Sequence, residues 1–386
     1  MNLVITLTAA GADTGPFNIY SNVDGYANAF ETNISKASLL AGFASSNVPV
    51  GTTEVRVKSV NDLCNNYGIG GTTPLSYRFL PDTTGERVVV DFVESGNTAY
   101  VYSRHTGYQD GTTIWPGNKL IKIKADRTAD RSFDTGTGLN NEAFFGWNLK
   151  EQPDGKLIVT GQHTSYNGTA TKRIMRLNTD GSIDNTFNIG TGFNNYTTDM
   201  IQNLAGEYYV LGIFTMYDGL TSPGLVKILN DGSKDPTFLV GTGFNNVSIW
   251  GLINDDQSFY VTGYFNAYNG TTVPTGIAKL LPDGTLDPSF VGGTGFNVGD
   301  LLTIAIGRNT AEQSFYCAGY FTTYKGIAEP HIIKLTETGD KDVTFDAGTG
   351  FDDNVWTMWV VFGDKILCVG DFTTYDGTAS VGCVLL

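Results

Sequence analysis

An all-β fold, a six-bladed β-propeller of four-stranded antiparallel blades preceded by a small β-rich N-terminal domain, is what this chain predicts, and three observations predict it. The first is a string that occurs five times: Gly136-Thr137-Gly138-Leu139, Gly190-Thr191-Gly192-Phe193, Gly241-Thr242-Gly243-Phe244, Gly293-Thr294-Gly295-Phe296 and Gly348-Thr349-Gly350-Phe351. Their starts lie 54, 51, 52 and 55 residues apart, so one supersecondary unit is reused along the chain. The second is a Tyr-x-Gly turn at Tyr166/Gly168, Tyr217/Gly219, Tyr268/Gly270, Tyr324/Gly326 and Tyr375/Gly377, with a looser form at Tyr108/Gly111, which counts six units. The third is the number of hairpin turns per unit. The second unit has Asp154-Gly155, Asn167-Gly168 and Asp180-Gly181, pairs suited to the primed turns of hairpins, and three turns join four antiparallel strands.

The elements follow in chain order. Residues 1–72 do not match the repeat and read as a separate small β domain, with strands over Leu3 to Thr8, Phe17 to Ser21 and Glu54 to Ser59. The segment Ser35 to Leu40 fits a helical turn or a strand, and the Gly-rich run Tyr67 to Gly71 reads as a linker. Residues 73–386 then form the propeller. Each unit has a strand running into a Gly five residues before the turn Tyr: Gly161, Gly212, Gly263, Gly319 and Gly370, with Ser103 in the first. After the third turn comes Asp-x-(Ser/Thr)-Phe, at Asp130/Phe133, Asp184/Phe187, Asp235/Phe238, Asp287/Phe290 and Asp342/Phe345. The sixth unit stops at Val381 to Leu386 without a fourth strand, while Leu75 to Pro81 forms a spare strand before the first. Residues 73–84 are therefore the candidate ring-closing strand, since pairing it with residues near Val381 to Leu385 would remove an open edge.

Composition narrows the function classes. The chain of 386 residues is 41% apolar and 16% charged, which is globular composition, and Gly reaches 48, which suits short strands and many tight turns. A net charge of −15, with 24 basic residues dispersed among 39 acidic ones, argues against nucleic acid as a partner. No apolar run reaches the roughly 20 residues of a membrane-spanning helix, so membrane insertion is not expected. The start, Met1 to Leu7, has neither the basic region nor the cleavage site of a signal peptide and reads as a first strand. Among the four cysteines no pair has metal spacing, and Cys317 and Cys368 share one repeat position, where they read as small core side chains.

With these motifs in view, residues of about 85–386 resemble the delta-60 repeat family of β-propellers: an aliphatic strand, Gly-x-Phe, a Tyr-x-Gly turn, Asp-Gly and Asp-x-Thr-Phe. The segments Ile5 to Phe17 and Ser35 to Gly42 look like a region at the start of virion proteins of crAss-like and related tailed phages of Bacteroidetes hosts. What the resemblances imply is a virion protein, made in the host cytoplasm and present in several copies. Residues 1–72 would mount it on neighbouring virion subunits, and the propeller would face a host surface glycan, a receptor or another subunit. Neither family carries a catalytic motif onto this sequence.

The residues themselves supply little chemistry, and the expectation is a non-enzymatic chain with no catalytic, cofactor-binding or metal-binding residues. His105 and His163 stand where later units have Phe214, Phe265, Phe321 and Phe372, so they read as planar substitutes in a packing layer; two metal ligands on adjacent blades is the other reading. His331 is isolated. The recurring Asp of Asp-x-(Ser/Thr)-Phe reads as an acceptor capping backbone amides, and loops such as Asn178 to Asp184 lack the first ligand and terminal Glu of a calcium loop. The Gly-Thr-Gly-Phe strings lack the Lys and the following helix of a phosphate loop. Trp115, Trp147, Trp250, Trp356 and Trp359 fit inter-blade filling or stacking on sugar rings. Two further classes stay open: a glycan-degrading enzyme with carboxylates from distant blades, and a bacterial surface-binding module.

Overall fold

The computed structural model describes residues 3–5, 16–24, 28–41, 43–50, 52, 54–59, 68–71, 78–81, 88–95, 98–110, 113–116, 119–126, 128–140, 148–297, 304–308, 314–361, 365–380 and 382–386. The third unit shows how the repeat builds a blade. Thr197–Gln202, Tyr208–Gly212 and Leu225–Ile228 form an antiparallel sheet with Tyr208–Gly212 in the middle. Asp218 and Gly219 both take positive φ (48° and 72°), as the tight turn between Met216–Tyr217 and Leu220–Thr221 requires. After Asp231-Gly232 the chain returns for a fourth antiparallel segment, reduced here to the single bridge Ile228↔Lys234. The same bridge occurs as Ile123↔Ala129, Leu177↔Ile183, Leu280↔Leu286 and Leu335↔Lys341. The architecture is thus the expected all-β propeller type, with antiparallel blades of four segments after a small β-rich N-terminal sheet.

Blades stack because the middle strand is apolar on both faces. In the third unit Tyr208 and Val210 pack on Ile158 and Ile174 of the second, whereas Tyr209 and Leu211 pack on Phe259 and Val261 of the fourth. Such double burial explains why this strand reads as a continuous apolar run in place of an alternating one. Cys317 is wholly buried in the equivalent strand Ser314–Gly319, and Cys368 in Lys365–Gly370; both are free thiols, as the repeat position implied.

The Gly-Thr-Gly-Phe string is the seam between blades. Its Phe193 N–H donates to the Lys172 carbonyl of the preceding unit (3.1 Å), and its Gly192 carbonyl accepts from Asp218 N–H of its own unit (3.0 Å). Phe296 to Thr275 and Phe351 to Pro330 repeat the first bond; Asn269 to Gly243, Lys325 to Gly295 and Asp376 to Gly350 repeat the second. Between the two bonds the backbone lies too close for a side chain: a Cβ on Gly192 (φ 65°) would sit 2.3 Å from Lys172 Cβ.

Two expectations are corrected. Gly68–Gly71 is no linker but a strand paired with Glu54–Ser59 in the N-terminal sheet Ala29–Ile34, Phe17–Ser21, Glu54–Ser59, Gly68–Gly71. Glycine weakens a strand but keeps its hydrogen-bonding groups, and here the partner strand supplies the rest. The candidate ring-closing strand is the second. Its ordered part, Arg78–Pro81, pairs with residues 105–109 inside the first unit, Phe79 opposite Tyr108, and Cys383–Leu385 pairs with 367–369 of its own blade. The long strand Thr98–Asp110 reaches past its neighbour Val88–Ser95 and offers that edge locally. The ambiguous segment settles as a short helix, Lys36–Ala41, with the Ser35 hydroxyl accepting from Ser38 N–H at its start (3.1 Å). Strands Phe17–Ser21 and Glu54–Ser59 lie where expected. The first is described over Leu3–Ile5, with Thr6 to Thr8 outside the described residues.

The seam predicts unequal costs for one substitution. Gly168 (φ 76°) has nothing within 4 Å of its Cβ position, so Gly168→Ala costs about 1 kcal/mol of left-handed strain. Gly192→Ala adds the Lys172 clash and costs about 3 kcal/mol. Denaturant unfolding of the two variants checks this, with equal losses contradicting the seam.

Candidate functional site

The side chains best placed to meet a ligand hang on one repeated backbone feature. In each of the last five units the Gly of Gly-x-Phe donates its N–H to the residue that opens the third strand: Gly161 to Arg173, Gly212 to Gly224, Gly263 to Gly276, Gly319 to His331 and Gly370 to Gly382, all at 3.0–3.2 Å. The next residue donates across to the loop entering the blade, Ile213 to Tyr196, Tyr264 to Val247 and Asp371 to Asn354. A Cβ on Gly212, Gly263 or Gly370 would lie 2.3, 2.2 or 2.0 Å from those same carbonyl oxygens, which is why the position is glycine. Backbone is fixed there, but the side chain that follows is not. It is Gln162, Ile213, Tyr264, Tyr320 or Asp371, flanked each time by the constant Gly and by an inward Phe or His.

Several of these side chains and their neighbours are exposed. Trp356 is 54% exposed, with its indole N–H held by the Asp371 carboxylate at 2.9 Å, and Tyr320 is 42% exposed with His331 edge-on at 6.4 Å. Tyr196 lies under the Arg173 guanidinium at 5.6 Å, and Arg173 donates to the Phe193 carbonyl at 2.9 Å. Arg173 (φ 71°) and His331 (φ 66°) hold the left-handed conformation that glycine holds in the other units, at a cost of about 1–2 kcal/mol each. Burial pushes the half-covered Tyr264 hydroxyl up to about 12. The arrangement offers aromatic faces with hydrogen-bonding groups beside them, which is the chemistry of sugar-ring recognition.

The residues singled out from sequence have other fates. His163 is fully buried where other units place Phe, and burial together with the Arg173 charge pulls its pKa to about 3. His105 lies in Thr98–Asp110, its side chain outside the described residues, so the two histidines are not seen to converge; His331 is buried with Nδ1 2.9 Å from the Gly319 carbonyl oxygen. Trp250 is half-buried, Trp359 is exposed, Trp147 lies outside the described residues, and so does the side chain of Trp115. Among the described residues no group of three or more His, Cys, Asp or Glu could hold a metal ion.

The recurring Asp does what its spacing suggested. Asp235 Oδ1 accepts from both the N–H and the hydroxyl of Thr237 (2.8 and 2.6 Å), and its other oxygen pairs with Lys227 at 2.8 Å. Arg176–Asp184 (2.7 Å), Lys279–Asp287 (3.0 Å), Lys334–Asp342 (3.3 Å) and Lys122–Asp130 (3.9 Å) repeat the pair. Burial alone would raise the Asp184 pKa, but hydrogen bonds from Lys156, Thr186 and Arg176 hold it far below the carboxylate range. An open cleft of about 480 Å³ beside the Asn167 turn contains Asp134 and Asp180. Both carboxylates there are engaged, with Gly136 N–H (2.9 Å) and with Ser182 N–H and hydroxyl.

Residues 152–187, 206–238, 260–290 and 316–345 match the family described as domain of unknown function (DUF5122) beta-propeller. The chain is a β-propeller repeat protein. No curated protein matches it. Similar solved structures include the Dos1 propeller (13% identity, 86% of this chain and 83% of that one, TM-score 0.44). A gluconolactonase from Xanthomonas campestris follows at 12% identity, 81% and 89% coverage and TM-score 0.37, and the PQQ-bound aldose sugar dehydrogenase of Streptomyces coelicolor at 14%, 80%, 96% and 0.37. The expectation of a non-enzymatic chain is therefore withdrawn: propellers similar to this one include named enzymes. At such identities the likeness concerns the fold, and neither activity passes to this chain.

Trp356 is legible in the sequence as a stacking candidate, whereas Tyr320 and Asp371 stand in no repeated motif. The usable signal for these two was a single column that changes between two constant ones. For His163 a pH test follows. Its folded pKa of about 3 lies below the unfolded value of 6.5, so the stability it permits is full above pH 6.5 and falls as acid protonates the unfolded chain. His163→Phe removes that term: the stability difference between variant and wild type should grow by up to about 1.4 kcal/mol per pH unit between pH 6 and 4. Urea unfolding at several pH values checks it, and a pH-independent difference would contradict the burial of a neutral imidazole.

Proposed function

We propose that this chain is a structural and binding component of a tailed-phage particle. Residues 1–72 mount it on neighbouring virion subunits, in several copies, and the rim around Trp356 and Tyr320 grips a glycan on the host surface. The observation that carries the binding part is the pairing of a fixed backbone with a side chain that varies at the residue after Gly161, Gly212, Gly263, Gly319 and Gly370 and is exposed in the last two, Tyr320 and Asp371. Trp356 supports it further, since an exposed indole whose orientation is set by Asp371 meets a sugar face with little ordering cost. Support for the particle comes from the resemblance of Ile5 to Phe17 and Ser35 to Gly42 to phage virion proteins, and from the delta-60 pattern of the blades. The net charge of −15 suits a chain that must not adhere to anionic surfaces without its ligand.

Particles carrying Trp356→Ala or Tyr320→Ala test both halves. Each truncation should leave the protein incorporated and lower the affinity of particles for host polysaccharide about tenfold, the loss of roughly 1.4 kcal/mol expected of a central aromatic contact. Unchanged adsorption by both variants would remove the rim, and absence of the unaltered chain from purified particles would remove the virion placement.

A further inference from the structure

In the last five units the residue that opens the third strand is left-handed, and its carbonyl accepts from the constant Gly. Glycine meets that demand in three of them, as Gly224, Gly276 and Gly382 (φ 74°, 82° and 71°). The second unit has Arg173 there (φ 71°), and Lys172 before it is left-handed as well (φ 48°). Elsewhere the preceding residue is Pro223, Thr275, Pro330 or Val381. The seam forms in those units without a basic pair, so the strain held at Lys172 and Arg173 serves something other than the fold.

Backbone bonds hold both residues in place. The Lys172 carbonyl accepts from Phe193 N–H and the Arg173 carbonyl from Gly161 N–H, each at 3.1 Å. The Arg173 side chain crosses to the third unit, where Nη1 donates to the Phe193 carbonyl at 2.9 Å and the guanidinium carbon stands 5.6 Å from the centre of the Tyr196 ring. Its Nε is enclosed and meets no acceptor among the described residues. Arg176, three residues on, pairs with Asp184, and Lys227, Lys279 and Lys334 pair with Asp235, Asp287 and Asp342, but among the described residues no carboxylate pairs with Arg173 or with the exposed Lys172. A half-buried cation without a counter-ion is desolvated and uncompensated, and an anion from outside relieves it.

We infer that Arg173, with Lys172 next to it and Tyr196 against it, binds the carboxylate of an acidic sugar, a residue of the uronic-acid class. Nη2 and the second proton of Nη1 make an end-on fork, which a planar carboxylate meets with two parallel hydrogen bonds. Tyr196, 37% exposed, borders that fork with apolar surface for the sugar ring. Its own place is fixed, since Tyr196 N–H donates to Asn195 Oδ1 and its carbonyl accepts from Ile213 N–H, each at 2.9 Å. An acidic peptide would bring the carboxylate without the ring. The sugar half of the inference rests on the glycan reading of the rim, and the anion half on the geometry of Arg173.

Saturation-transfer NMR titrations of the full chain with D-glucuronate, D-glucose and the amide of N-acetylglutamate give the test. Glucuronate should bind the native chain about tenfold more tightly than either of the others, and Arg173→Gly should lose that factor. The variant should keep its fold, because glycine is what three other units hold at this position; Arg173→Gln serves as a second variant should the first fail to fold. Equal binding of glucuronate to the native chain and to a folded variant would overturn the inference, and so would no binding to the native chain. Glucose binding as tightly as glucuronate would remove the anion, and the glutamate probe binding as tightly would assign the site to an acidic peptide; either result overturns it too. Particle adsorption, which judges Trp356 and Tyr320, plays no part in these titrations, so failure of this inference and failure of the rim are told apart.

Discussion

The constraint on which the rest of the structure depends is the close passage of the Gly-Thr-Gly-Phe backbone between two blades. Left-handed glycine lets the segment donate backward, from Phe193 to Lys172, and accept forward, from Asp218 to Gly192, within two residues. Once the segment is seated, Phe193 is committed to Phe214 and Tyr217 at ring distances of 4.5 and 4.6 Å. The Tyr217 hydroxyl in turn donates to the Gly232 carbonyl at 2.5 Å, which ties the hairpin to the Asp-Gly turn of the same blade. Tyr268 to Gly284 and Tyr324 to Gly339 repeat this bond at 2.7 Å. One backbone crossing therefore fixes the neighbour, the aromatic layer and the far turn together.

Charge follows packing in this molecule. The paired Asp and Lys or Arg side chains near the fourth segment are well covered, and a carboxylate in that setting persists because both of its oxygens are used. Asp199 shows the other outcome. It is buried, and burial raises its pKa, against the opposing pull of Lys150 and of the Gly251 and Met200 amides. It bonds Gly251 N–H of the next unit at 2.8 Å, and so serves the seam.

Sequence disclosed what is local and repeated. The units, the Asp-Gly and Asn-Gly turns, the packing role of Cys317 and His163 and the capping role of Asp235 were all readable, because each is set by residues within one unit at constant spacing. Pairing partners were not. Arg78–Pro81 carries the pattern of a strand but no statement of which edge it joins, and the overlong strand Thr98–Asp110 took it. Gly68–Gly71 has linker composition, and its strand character comes from Glu54–Ser59 beside it. Tyr320 and Asp371 escaped because the side chain after the constant glycine differs from unit to unit, while the backbone bonds that display it leave no mark except that glycine.

Hydrogen exchange of the native chain, resolved to single amides, tests the seam most directly. If the crossing governs the fold, the amides of Phe193, Asp218, Asn269, Lys325 and Asp376 exchange only with global unfolding, as slowly as those of Tyr209 and Val261 in the middle strands. Exchange of these seam amides through local opening, at loop rates while the middle strands stay protected, would show that the blades hold together without them and would contradict the account.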